Sequence, residues 1–192
     1  MNIHIITSKS GVSFFSFLLN YGVGVKIYDN PSVKKFLLKD LKIDEDYISN
    51  RIQTLFLNSK PIDNIDNAFL ENGATLALSA AMPGTAGALF RKKGRYAAMR
   101  KQITYTDNID IKKNKEGKII LKLFNMPAKE LAGIIFERGV LIEKETLSLF
   151  LKNYNQRITP HIKEIHSDCK KKDKTIFFNR NLKAINLKVT FS

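Results

Sequence analysis

One cysteine, Cys169, is all that this chain of 192 residues carries, so no internal disulfide can form and nothing indicates an oxidising compartment. Long apolar runs are also missing. The nearest to one, residues 74–90 (ATLALSAAMPGTAGALF), is uncharged but is broken at its centre by Pro83 and Gly84. It also falls short of the about 20 apolar residues that a membrane helix needs. Its small residues suit a buried strand, a turn and a helix start. Residues 1–7 have no basic region ahead of an apolar stretch and no cleavable signal follows, which leaves the cytoplasm as the expected location. There is no internal repeat and no low-complexity segment. The familiar catalytic and nucleotide-binding signatures are absent too. PGTAG at residues 83–87 lacks the Gly-Lys-Ser/Thr of a Walker loop, it is not Gly-x-Gly-x-x-Gly, and no serine stands in Gly-x-Ser-x-Gly.

What is present describes a chain that folds. Hydrophobic residues make up 44% and charged residues 26%, an ordinary balance for a globular core and far from that of a disordered chain. The formal charge of +14 is unevenly spread. Residues 1–90 hold 8 Lys/Arg against 8 Asp/Glu, whereas residues 91–192 hold 24 against 10, so the whole excess lies in the second half. Such asymmetry points to an acidic partner for that half: nucleic acid, an anionic membrane surface or an acidic protein. The plainer account of a lysine-rich face is that it is solvated.

Periodicity and turn chemistry predict the elements. Residues 3–6, 12–19 and 23–28 are short runs rich in β-branched and aromatic residues, separated by Ser10-Gly11 and Tyr21-Gly22, and read as strands. Asn30 or Ser32 caps a helix over 32–41, with Val33, Phe36, Leu37 and Leu41 at helical spacing. After the charged Asp44-Glu45-Asp46 come a strand at 52–57, a turn at Asn58-Ser59-Lys60-Pro61, a second turn at Glu71-Asn72-Gly73 and a strand at 74–80. A helix follows from 86 to about 102, weakened at Gly94, then a lysine-rich bridge over 107–117. A strand at 118–124 leads to a helix at 127–137 started by Pro127 and stopped by Gly139, and to a helix at 144–154. In the tail, 175–178 and 184–191 alternate like strands around a basic loop at 170–174.

Residues 52–84 carry a distinctive series: an apolar strand, the Asn58-Ser59-Lys60-Pro61 turn, the Asp-rich Ile62-Asp63-Asn64-Ile65-Asp66, then Glu71-Asn72-Gly73, another apolar strand and Met82-Pro83-Gly84. This resembles the last third of the ubiquitin-like β-grasp sulfur carriers, such as the small subunit of molybdopterin synthase and the thiamine-pathway carrier. The preceding order of strand, strand, helix fits as well. The resemblance implies a β-grasp fold used as a docking surface. Those carriers end in a free Gly-Gly carboxylate that is adenylated and thiolated. Here Pro83-Gly84 is followed by Thr85-Ala86-Gly87 and about a hundred more residues, and no Gly-Gly occurs at which to cut.

The segment over 82–101 (MPGTAGALFRKKGRYAAMRK) is the candidate site. Gly84, Thr85 and Gly87 turn the backbone ahead of a helix whose free amides favour an anion. Arg91, Lys92, Lys93, Arg95, Arg100 and Lys101 follow; Arg91 and Arg95 would share one helix face, and Lys93, Tyr96 and Arg100 another, with Tyr96 available for stacking. On the alternative reading the glycines serve close packing, Ala97, Ala98 and Met99 are buried, and the arginines are solvated. His161, His166 and Cys169 do not have the spacing of a zinc site. Cys169 beside Lys170 to Lys172 reads as an incidental thiol. His4, with an apolar neighbour on each side, reads as structural, and the pairs Asp44/Asp46 and Asp63/Asp66 read as turn caps. No catalytic residue, metal ligand or cofactor is assigned.

The expectation is therefore an α+β protein. A β-grasp-like domain spans residues 1–84, with a basic α+β region over 85–192 packed on it. Its expected role is that of a non-catalytic binding or adaptor protein with an anion-binding basic helix. The alternative is a docking component of sulfur or molybdopterin/thiamine cofactor metabolism derived from a β-grasp carrier. An enzyme whose residues converge from distant segments stays open.

Overall fold

A computed structural model describes residues 1–100, 103–105, 116–168, 170–173 and 184–192. In chain order these form β1 (Asn2–Thr7), α1 (Val12–Tyr21), β2 (Val23–Ile27), α2 (Val33–Lys35) continuing into a π-helical turn (Phe36–Asp40), and α3 (Glu45–Asn50). Next come β3 (Thr54–Leu57), β4 (Lys60–Pro61), β5 (Thr75–Ser79), α4 (Gly84–Phe90), β6 (Gly117–Phe124), α5 (Asn125–Glu130) and α6 (Ala132–Arg138). The chain ends with β7 (Val140–Ile142), α7 (Lys144–Ile158), β8 (Ile162–Ser167), β9 (Lys170–Lys172) and β10 (Ile185–Phe191). Helix and strand are mixed, as expected for α+β. Lys101, most of the bridge at 107–117, Cys169 and the strand expected at 175–178 lie outside the described residues. Among those described, no helix is long and apolar enough to cross a membrane; residues 74–90 become β5, a turn and α4. The chain divides into two compact units, Met1–Gly24 with Ala128–Ser192, and Val25–Pro127. The boundary expected at residue 84 falls inside the second unit.

In the first unit β1 is the central strand. It runs parallel to β10, from Asn2 opposite Asn186 to Thr7 opposite Phe191, and antiparallel to β8, which pairs in turn with β9. β7 lies antiparallel on the far side of β10. Ile3, Ile5 and Thr7 of β1 are buried, alternating with His4 and Ile6 on the more open face, the period-two pattern of a half-covered strand. α1, α6 and α7 cover the buried face, α6 lying on β10 and α1 touching both other helices.

Residues 12–19, expected as a strand, form α1 instead. Phe15, Leu18 and Leu19 are fully buried at i, i+3 and i+4, a helical stripe that the run of Phe and Leu concealed. The buried hydroxyl of Ser16 turns back to the Ser13 carbonyl (2.7 Å), so no polar group is stranded there. Gly22, at φ 113°, ends the helix. The order that supported the β-grasp resemblance thus reads strand, helix, strand. α7 continues past the expected 154 to Ile158, β8 forms where no element was assigned, and β9 forms within the expected basic loop at 170–174.

The second unit is built on β4-β3-β5-β6. β3 is antiparallel to both β4 and β5, and β5 is parallel to β6. Asn58 and Ser59 join β3 to β4 with φ of 49° and 65°, the left-handed pair that a two-residue hairpin turn requires. Asn58 Oδ1 also accepts the Thr75 amide at 2.9 Å, fixing the hairpin to β5. Ser32 caps α2 as expected, its side chain accepting the Lys35 amide.

α3 was not expected, yet its signal is local. Asp44 Oδ1 accepts the amides of Asp46 (2.8 Å) and Tyr47 (3.3 Å), and Glu45 and Asp46 sit in the first turn, where the helix dipole favours acids. Asp44→Ala is expected to cost about 1 kcal/mol, the usual loss of an N-cap, seen as a melting shift of about 2–4 °C; an unchanged melting curve would count against the cap.

Candidate functional site

The segment Gly84 to Arg100 does not form the continuous helix expected over 86–102. α4 stops at Phe90, Arg91 adopts extended backbone (ψ 128°), Lys93 is left-handed at φ 52°, and only a 3₁₀ turn, Ala97–Arg100, follows. Two side contacts pull the chain out of the helix: the Lys92 amide donates to the Gln53 carbonyl (2.8 Å) and the Lys93 amide to Asp63 Oδ1 (3.0 Å). The shared helix faces expected for Arg91 with Arg95, and for Lys93, Tyr96 and Arg100, therefore do not exist.

The expected site residues separate into four groups. Gly84 (φ 75°) and Thr85 are exposed at the start of α4, but Gly87 is buried, and a Cβ there would run into the carbonyl of Met82. Close backbone approach explains Gly87; with seven residues, α4 is too short to build an anion cradle.

Arg100 is the clearest correction. It is 2% exposed, and its guanidinium makes four hydrogen bonds inside the unit: Nε donates to the Leu89 carbonyl (2.8 Å) and Nη1 to Thr104 Oγ1 (2.9 Å). Nη2 donates to Asp63 Oδ1 (2.7 Å) and to the Arg91 carbonyl (3.3 Å). It ties α4 to the turn after it and is buried away from any ligand that would approach from solvent. Asp63, read from sequence as a turn cap, is the anion at the centre of this staple, since the same oxygen receives the Lys93 amide.

Lys92 is half-buried, and its Nζ donates to the Ile48 carbonyl at 2.5 Å. Burial, reinforced by Lys93, holds its pKa below the usual lysine value. It borders a cleft of about 540 Å³ that also holds Lys34, Lys93, Glu45, Asp63 and Asp66. Lys34 Nζ lies 3.4 Å from both Glu45 and Asp66. With three lysines against three carboxylates, this cleft is internally balanced and offers no net attraction to an anion.

Arg91 and Arg95, with Lys93 between them at the edge of that cleft, form the fourth group. All three are exposed, and among the described residues no carboxylate pairs with their side chains. Beside them in the chain lies a groove of about 760 Å³ lined by Gly84, Thr85, Ala88, Leu89, Tyr96 and Met99. Met99 is 78% exposed, against the reading that buried it, and Tyr96 is 42% exposed. Nothing in the spacing of Tyr96 and Met99 announced the groove, because it forms only once the helix has broken at Phe90.

Elsewhere His4, Glu164, His166 and Lys171 have partners. His4 Nε2 meets Thr190 Oγ1 at 2.9 Å, and burial, with Lys188 and His166 nearby, lowers its pKa. Glu164 holds His166 (3.0 Å) and Lys171 (2.7 Å), and Lys171 ahead of His166 pulls its carboxyl below the usual range. His161 and His166 thus face different groups, and among the described residues no cluster of three or more His, Cys, Asp or Glu is positioned to hold a metal. Compared with protein families, curated proteins and solved structures, the chain matches none.

Proposed function

We propose that this is a binding or adaptor protein whose Gly84 to Met99 surface docks an acidic, amphipathic segment of another protein. One observation carries the reading: an apolar groove lined by Ala88, Leu89 and Met99 lies a few residues along the chain from two exposed cations, Arg91 and Arg95, whose side chains pair with no carboxylate among the described residues. An exposed apolar patch with unpaired cations nearby in the chain favours a ligand with apolar anchors and acidic flanks. Nucleic acid fits less well. Its bases stack on aromatic platforms, and the groove offers one ring, Tyr96, beside aliphatic side chains and a thioether.

The test is fluorescence polarisation with three probes: a helical peptide bearing Leu on one face and Glu on the other, a scrambled peptide of the same composition, and a single-stranded RNA of matched charge. The ordered peptide should bind best. Met99→Asp should weaken it about 30-fold, the loss of a hot spot of about 2 kcal/mol. Changing Arg91 and Arg95 together to Ala should weaken it about tenfold at low salt, with the difference fading as salt rises. Equal binding of the scrambled peptide, indifference to Met99→Asp, or tighter binding of RNA would each overturn the reading.

A further inference from the structure

In the first unit, far along the chain from this groove, a serine hydroxyl meets an imidazole. β1 ends at Thr7, a short 3₁₀ turn (Lys9–Gly11) follows, and α1 begins at Val12. Another 3₁₀ turn, Thr159–His161, leads into β8, which pairs antiparallel with β1 so that Thr7 stands opposite Ile162. Two residues about 150 positions apart are thereby brought together: Ser10 Oγ lies 2.9 Å from His161 Nδ1. Ser8 Oγ lies 2.8 Å from Ser10 Oγ and 3.4 Å from the same ring nitrogen.

The pair is held from several sides. The His161 carbonyl accepts two bonds from the end of β1, one from Thr7 Oγ1 (2.8 Å) and one from the Ser8 amide (2.9 Å). The Phe14 ring lies against the imidazole, centroids 5.0 Å apart and tilted by 31°. The Ser10 carbonyl accepts Ser13 Oγ at 3.0 Å. Gly11 leaves the room this needs, since a Cβ there would collide with Thr7 Oγ1, the hydroxyl that clamps His161. Ser10 is exposed, so the hydroxyl that meets the imidazole is open to solvent. α1, ten residues long, starts two positions after it and directs the positive end of its dipole toward any charge that develops on the oxygen.

A hydroxyl within hydrogen-bond reach of an imidazole, which is itself fixed by other groups, is the arrangement of an activated nucleophile. We infer that Ser10 is a nucleophile and His161 its general base, acting on an acyl group carried as an ester. With the ring proton on Nε2, Nδ1 accepts from Ser10. In the first step Ser10 Oγ bonds to the acyl carbon and its proton passes to Nδ1; the bond from the acyl carbon to the alcohol oxygen breaks, and the departing alcohol takes that proton. In the second step water gives a proton to Nδ1 as its oxygen bonds to the acyl carbon. The Ser10 ester bond then breaks, the carboxylic acid leaves, and Ser10 recovers the proton. Ser8 donates to Ser10 Oγ and orients it. A motif search misses this site because Ser10 stands in Ser-Lys-Ser-Gly, not in Gly-x-Ser-x-Gly, and its base comes from the other end of the unit.

The experiment is labelling of the full chain with a fluorophosphonate, followed by intact mass and peptide mapping. A single adduct on Ser10 is expected, absent in Ser10→Ala and retained in Ser13→Ala. His161→Gln, which keeps an acceptor without a proton-carrying ring, should label about 100-fold more slowly and lose the rise of rate with pH, with its circular dichroism unchanged. An unlabelled native chain, an adduct on another residue, or labelling of His161→Gln at the native rate would overturn the inference. Should His161→Gln fail to fold, the pH dependence of native labelling decides: a rate that rises in one protonation step supports the base, and a flat profile overturns it.

Discussion

Arg100→Ala should destabilise the protein by about 2–4 kcal/mol, the cost of removing a buried guanidinium that makes four hydrogen bonds, and lower its melting temperature by about 4–16 °C. The size of the effect follows from what the guanidinium leaves behind. Asp63 Oδ1, on a side chain 30% exposed, loses its charged partner, and the carbonyls of Leu89 and Arg91 and the hydroxyl of Thr104 lose donors. Arg100→Lys should recover only part of this, because a single ammonium cannot spread its donors as the planar fork does. Arg91→Ala and Arg95→Ala, by contrast, should stay within about 0.5 kcal/mol of the native chain, as exposed positions do. The pattern of one large and two negligible effects separates a structural arginine from two that face solvent. Arg100→Ala melting within a degree of the native chain would contradict the staple.

The same three arginines show how far the sequence could be read. Their clustering was visible, and so was the charge of the second half, but which of them point outward depended on where the helix broke. Gly94 hinted at weakness. The break itself comes at Phe90, where Gln53 and Asp63, residues about 30 to 40 positions earlier, capture the amides of Lys92 and Lys93. No local pattern carries that information. Asn58-Ser59, Ser32 and Gly139 were legible because turn, cap and stop chemistry act within a few residues. Asp44 was equally local: it reads from sequence as a cap on backbone amides and does cap two of them, but they open the helix α3 rather than a turn. Strands β1, β2, β3, β5, β6 and β10 announced themselves by alternation or apolar runs. Their pairing did not, because β1 meets β10 and β8 from the far end of the chain.

α1 was missed for a different reason, and its correction can be measured. Val12 to Tyr21 has no charged residue, so both faces look apolar and the helical period is hidden. Burial restores it: Phe15 is fully enclosed between the rings of Phe136 (centroids 5.9 Å), Phe150 (6.3 Å) and Phe191 (6.1 Å), whereas Phe17 is half-buried, stacked on Tyr154 at 4.6 Å and 8°. Phe15→Ala should therefore cost about 3–5 kcal/mol, since the surrounding rings cannot collapse onto the space, while Phe17→Ala should cost about 1 kcal/mol. A strand at 12–19 would bury alternate residues and put 15 and 17 on the same face, making the two losses similar. Chemical denaturation of both variants distinguishes the cases: equal midpoints would reject the helical stripe. Phe15 also bears on the nucleophile five residues earlier. α1 is seated by this ring, so a milder loss such as Phe15→Leu should loosen the turn that holds Ser10 near His161. Fluorophosphonate labelling should then slow before the fold is lost.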